Sequence, residues 1–229
     1  TKVSFSVFDQ LPLSSRTRKL IFVNHLPFCK IFSYISTVID FNFENTNEPE
    51  IGGILISEPF IEDKYFTRSV ILLCDHGKEG SFGFVLNNYI ETGLKDMIAD
   101  FPDIDVRVSL GGPVDTSNLF FIHSLPDDVP NSQKIAGGID IGGKFTDVVE
   151  LLEKDPSKVE FFRFFVGYSG WEVDQLNDEL KEKSWLVLPG VSNKHILDSD
   201  NDDLWKELMD KLGGKFKVMS TFPKNPSHN

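Results

Sequence analysis

Two apolar runs set the terms for the whole chain. Val70 to Asp75 (VILLCD) and Phe82 to Leu86 (FGFVL) are each of strand length, and the turn between them carries Gly77 and Gly80, so they predict a β-hairpin. Neither run alternates apolar with polar residues, which makes both faces of the hairpin apolar. Such a hairpin belongs in the middle of a core, covered on each side by other elements. A turn from Gly77 to Gly80 places Cys74 opposite Gly83 and Val70 opposite Asn87.

The remaining pattern supplies the covering layers. Short strands are predicted over residues 53–57, 106–110, 119–123, 159–166, 185–188 and 216–219. Helical spacing is present over 94–101, 145–154, 172–183 and 202–212, the last closed by Gly213. Residues 134–144 are glycine-rich. Strands outnumber helices and do not alternate with them regularly, so the fold class is α+β and not a doubly wound sheet.

Charge narrows the partners. The formal net charge is -12 over 229 residues, a surface that repels the phosphate backbone of nucleic acids and anionic membranes. Direct nucleic-acid binding is not expected, nor is membrane association. Of the two cysteines, Cys29 and Cys74, neither belongs to a zinc-type or disulfide pattern. A reducing, cytoplasmic setting follows, with no metal or cofactor expected.

The first 47 residues differ from the rest. They hold five basic residues (Lys2, Arg16, Arg18, Lys19, Lys30) and three acidic ones (Asp9, Asp40, Glu44), a net of +2 against -14 for residues 48–229. Arg16 to Lys19 followed by the apolar stretch Leu20 to Ile39 has the layout of a signal peptide or anchor. Asn24, His25, Pro27 and Lys30 interrupt that stretch, which argues against either. Residues 1–47 are expected to form a poorly structured extension, and residues 48–229 a single domain.

Three short motifs suggest chemistry. Gly138 to Lys144 fits the G-x-x-x-x-G-K frame of a phosphate loop, but Phe145 stands where a magnesium-binding hydroxyl belongs and Asp140 sets a negative charge inside the cradle. Gly167-Tyr168-Ser169-Gly170-Trp171 resembles a nucleophile elbow without its last glycine, with His76, His123 and His195 as conceivable bases. Cys74 and His76 are two apart on a strand, a spacing that suits a metal or an activated thiol but also a buried thiol beside a turn histidine.

Phe66-Thr-Arg68-Ser-Val-Ile-Leu-Leu-Cys-Asp75-His76, Gly80-Ser-Phe-Gly83-Phe-Val-Leu-Asn87, Leu110-Gly-Gly-Pro113-Val and Gly167-Tyr-Ser-Gly-Trp171, with Gln175-Leu and Trp185, occur in an order that resembles the AlgH/YqgE family. The likeness runs from about Gly53 to the C-terminus. It implies a compact bacterial α+β domain with a mixed, largely antiparallel, bifurcated and barrel-like sheet flanked by several helices. The family is linked by name to regulation of alginate production and has no established biochemical activity, so no catalytic residue is carried over. Where family members often have Trp-Gly-Gly-Asp this chain has Ile141-Gly-Gly-Lys144, and where they commonly have Ala it has Ser169.

A non-enzymatic regulatory or binding domain acting through a protein or small molecule is therefore expected. The alternative is a hydrolase using Ser169 or a redox-responsive protein using Cys74. Arg68 and His76 share a strand face but lie roughly 26 Å apart. Asn87 falls about 7–8 Å from Arg68 as its diagonal neighbour in the predicted register. Arg68 and Asn87, with Gly111, Gly112 and Trp171 from the same motifs, form the candidate binding site. Structurally, Arg68 could instead pair with Glu58 or Asp63 while Asn87 satisfies a turn.

Overall fold

The central hairpin forms from β2 (Val70–Gly77) and β3 (Gly80–Val85) in the computed structural model, which describes residues 42–222 apart from Glu62. Its two faces enter different apolar clusters. Val70, Leu72, Cys74 and Phe84 join one, and Ile71, Leu73 and Val85 join another. β1 (Ile54–Ser57) pairs antiparallel with β2, and β9 (Trp185–Leu188) pairs antiparallel with β1.

The other half of the sheet is built on β8 (Phe162–Trp171), which follows a 3-10 helix, Pro156–Phe161. β4 (Val108–Leu110) runs parallel to β8, and β5 (Val114–His123) antiparallel to it. The hairpin of β6 (Gln133–Ala136) and β7 (Ile139–Ile141) extends the sheet from β5. The path of this mixed, largely antiparallel nine-stranded sheet is β6-β7-β5-β8-β3-β2-β1-β9, and it branches where β4 joins β8.

One apolar cluster is common to both halves. Ile54, Leu72 and Phe84 meet Phe120, Ile122 and Phe165 there, closed by α5 (Leu204–Leu212) and α6 (Gly214–Met219). The opposite face of the β5–β8 half is covered by α1 (Leu94–Met97) and α2 (Phe145–Lys154), whose Val148 and Leu152 are fully buried one turn apart. α3 (Gln175–Lys181) covers the opposite face of the β1–β2–β3 half, and α4 (Asn193–Leu197) is a short connector before α5.

Two expectations are corrected. Residues 216–219 are helical: Phe216 and Met219, three apart, both face the shared core from α6, so helical spacing prevails over the strand propensity of the run. The hairpin register holds from the Gly77–Gly80 turn to the Asp75–Phe82 pair but is displaced by one beyond it. Cys74 is the extra residue of a β-bulge between Leu73 and Asp75, so Gly83 faces Leu73 and not Cys74. The strands close tightly here, since a Cβ on Gly83 would lie 2.2 Å from the Leu72 carbonyl oxygen.

Residues 1–41 of the predicted extension lie outside the described residues. Phe43 is buried in the shared core. Asn45 donates to the Trp185 carbonyl (2.9 Å) and accepts from the Val187 amide (2.8 Å), and Asn47 donates to the Val187 carbonyl (3.1 Å). Two side-chain amides thus satisfy the outer edge of β9 where a further strand would otherwise pair.

Candidate functional site

Arg68 and Asn87 do come together, but through backbone. The shifted register leaves Asn87 two residues past the end of β3, where its side chain accepts from the Val70 amide and donates to the Arg68 carbonyl, each at 2.8 Å. Arg68 adopts a left-handed conformation (φ 52°). Its guanidinium lies 4.9 Å from the Trp205 ring centroid and donates to the Phe222 carbonyl, while its Nε is buried without a partner. Burial lowers the Arg68 pKa. Asp63 accepts instead from the amides of Tyr65 and Phe66.

The other candidates serve the crossing of β8. A Cβ on Gly112 would lie 2.3 Å from the Tyr168 carbonyl oxygen, and one on Gly111 2.3 Å from that of Gly167. Only glycine allows the two backbones to approach this closely. Trp171 is buried, and its indole N–H donates to Glu179 Oε2 at 2.8 Å.

Ser169 sits inside β8, not at an elbow: the strand runs through Trp171 because its end pairs with β3. Its hydroxyl is fully buried and donates to the Gly111 carbonyl (3.0 Å). His123, also fully buried, accepts from the Leu125 amide on Nδ1 and holds the Gly142 carbonyl with Nε2, which fixes a neutral imidazole. His76 Nδ1 lies 2.7 Å from Ser81 Oγ. The Cys74 thiol is buried 3.7 Å from the Leu72 carbonyl, and burial together with the Asp75 charge pushes its pKa up. The phosphate-loop frame is occupied by β7, with Asp140 paired in the ladder and accepting from Ser132 Oγ (2.9 Å).

Two buried ions escaped sequence reasoning. Arg163, 1% exposed, donates to the carbonyls of Leu86, Ile196 (2.8 Å) and Asp198 (2.7 Å) and to the Tyr89 hydroxyl (3.1 Å). It lies within an apolar strand, and its neighbours in the chain give no sign of what it binds. Glu179 accepts from the indoles of Trp171 and Trp185 and from Gln175 Nε2 (2.9 Å). Its i,i+4 spacing from Gln175, flanked by two motif tryptophans, was a readable signal.

Where the two ends of the sheet approach each other, a cleft of about 320 Å³ opens. Gly52, before β1, is packed so closely on the β6–β7 hairpin that a Cβ there would lie 2.3 Å from that of Ala136. Leu72, Ile135, Ile139, Val191 and Ile196 supply apolar walls, and Glu50 is the one charged lining group. Asn193 ties α4 to the hairpin by donating to the Gly137 carbonyl at 2.8 Å. Exposed Ile51 lies at the rim. None of Arg68, Asn87, Gly111, Gly112 and Trp171 lines this cleft.

No group of three or more metal-ligating side chains occurs among the described residues, and no helix among them is long and apolar enough to cross a membrane. The fold is shared with solved structures. A Corynebacterium diphtheriae protein superposes with a TM-score of 0.65 at 23% identity, covering 79% of this chain and 95% of that one. The solution structure of AlgH from Pseudomonas aeruginosa gives 0.59 at 22% identity, covering 78% and 98%. In sequence, a UPF0301 protein of Bacteroides thetaiotaomicron is 40% identical over 182 residues, 79% of this chain and 92% of its own length. The AlgH-like family profile matches residues 54–217, from the first strand into the last helix, and with that relative it shows that the chain belongs to the AlgH-like family.

Proposed function

We propose that this is a non-enzymatic, cytoplasmic binding domain with a regulatory role, and that its ligand is a small apolar molecule carrying a positive charge, seated in the cleft between the sheet ends. The cleft itself carries the reading. Its volume is within the range of small-ligand sites, its walls alternate apolar side chains with polar groups, and a lone carboxylate gives a bound cation one fixed point. A net charge of -12 favours cationic over anionic ligands and disfavours nucleic acid.

The second reading, a Ser169 hydrolase or a Cys74 redox switch, requires side chains that meet solvent; both of these are buried and hydrogen-bonded to backbone carbonyls. Arg68, Asn87, Gly111, Gly112 and Trp171 act in this proposal as supports of the sheet. The test is a thermal-shift panel of short-chain alkyl amines, alcohols and carboxylates. Amines are expected to raise the melting temperature of the native chain, less so with Glu50→Gln and not at all with Ile135→Trp, which fills the cleft. Equal stabilisation of all three proteins, or none of the native one by any amine, removes the proposal.

A further inference from the structure

The segment after β9 holds a hydrogen-bonded chain of side chains that neither the cleft nor the sheet uses. Ser192 is the N-cap of α4 and is exposed, yet its hydroxyl makes no capping bond. An N-cap serine ordinarily accepts from a backbone amide in the first turn. Here Oγ lies 2.6 Å from His195 Nδ1. On the far side of the ring, His195 Nε2 lies 3.0 Å from Glu207 Oε1. Glu207 in turn accepts from Lys211 Nζ (2.7 Å) and Asn201 Nδ2 (3.0 Å).

The chemistry follows from the order of the groups. Lys211, His195 and Asn201 hold the Glu207 pKa at about 2, so it is a carboxylate at neutral pH. A carboxylate on Nε2 favours the tautomer with the proton there, leaving the Nδ1 lone pair to face the serine hydroxyl. That is the serine–base–orienting acid relation of activated nucleophiles, with the two ring nitrogens exchanged.

We infer that Ser192 is a covalent acylation site, a nucleophile toward small uncharged carboxylic esters. Ser192 Oγ attacks the ester carbonyl carbon and forms a new C–O bond as its proton passes to His195 Nδ1. The bond to the leaving alcohol breaks, and His195 returns the proton to that alkoxide. The products are O-acyl-Ser192 and the free alcohol, with no change of oxidation state. The reaction is a stoichiometric modification and not turnover, so it is compatible with a binding domain and does not depend on occupancy of the cleft. Anionic esters are disfavoured because residues 48–229 carry a net charge of -14, from 18 basic and 32 acidic residues.

The experiment is incubation of the full chain with p-nitrophenyl acetate, read as p-nitrophenol release and by peptide mapping. One acetyl group per chain is expected on Ser192, formed about 100-fold more slowly in His195→Gln, the usual scale of a positioned base. A Ser192→Cys variant keeps the test independent of an N-cap defect: its new thiol should react with iodoacetamide, and removal of the imidazole by a second substitution, His195→Gln, should slow it, while buried Cys74 stays unmodified in both. Acetyl groups confined to lysines, or Ser192 acetylated equally fast without His195, overturn the proposal. The second result is what the other tautomer gives, in which Lys211, 3.0 Å from Nε2, donates to the ring.

Discussion

Arg163 and Glu179 are both buried charges without an oppositely charged side chain in hydrogen-bond contact, and they are solvated in different ways. Arg163 is satisfied mainly by backbone carbonyls drawn from three places: the end of β3, α4, and the loop leading to α5. Glu179 is satisfied by side-chain N–H groups from β8, β9 and its own helix. The cation therefore gathers chain segments that have no other reason to meet, and the anion aligns side chains on elements that already pack. Tyr89 makes the point locally. It carries Arg107 over its ring at 3.8 Å and accepts from Arg163, while Arg107 pairs with Asp202 at 2.8 Å, so the loop before α5 is bound to the sheet through one cationic centre.

Removing the cation is therefore the more damaging change. Arg163→Met takes the donor from three carbonyls at once; that of Leu86 keeps Ser109 Oγ at 3.4 Å, while those of Ile196 and Asp198 are left unsatisfied at about 1–3 kcal/mol each, so a loss of about 4 kcal/mol is expected by urea denaturation. A loss near 1 kcal/mol would show that water replaces the guanidinium readily and would break the comparison. Glu179→Leu orphans two indoles and a glutamine and should cost about 3 kcal/mol, with Glu179→Gln intermediate because one acceptor oxygen remains. Equal losses for the Leu and Gln variants would mean that packing, not hydrogen bonding, fixes the tryptophans.

Glu58 sharpens the comparison, since it is partly buried with one backbone N–H, from Phe60, to offset the loss of water. Burial raises its pKa from the ordinary 4.5 to about 7. A carboxyl group raised in the folded state binds its proton more tightly there than when unfolded, so stability falls as pH rises from about 4.5 to 7 and the cost is complete above that. Glu58→Gln should match the native chain below about pH 4.5 and exceed it by roughly 3 kcal/mol at pH 8. A constant difference across that range would place the Glu58 carboxylate in solvent.

The smallest effect belongs to the neutral amides on β9. Asn45→Ala should cost about 1 kcal/mol, the net worth of ordinary hydrogen bonds at a partly exposed edge. Removal of residues 1–41 should leave the melting temperature unchanged within a few degrees, whereas removal of 1–47 also strips Phe43, Asn45 and Asn47 and should lower it clearly. Equal melting of the two truncations would show that the edge amides contribute nothing.

How much was legible depended on whether a feature was local. The unalternating runs at 70–75 and 82–86 specify a doubly covered hairpin, because every residue of such a strand faces a core whichever way it points. The order of short strands and helices likewise determined an α+β chain, and the motif residues marked the family. Acidity determined the sign of the surface. Tertiary structure decided the rest. The bulge at Cys74 depends on how closely β2 approaches Gly83, and that one-residue shift turned Asn87 from a ladder partner into a cap for Val70 and Arg68. Ser169 looked like an elbow because glycines surround it, but pairing with β3 keeps it in a strand. The partners of Arg163, and the meeting of Glu50 with Ile135 and Val191 across the cleft, join residues far apart in the chain. Periodicity reports which face of an element is apolar; only closure of the sheet brings distant faces and carbonyls together.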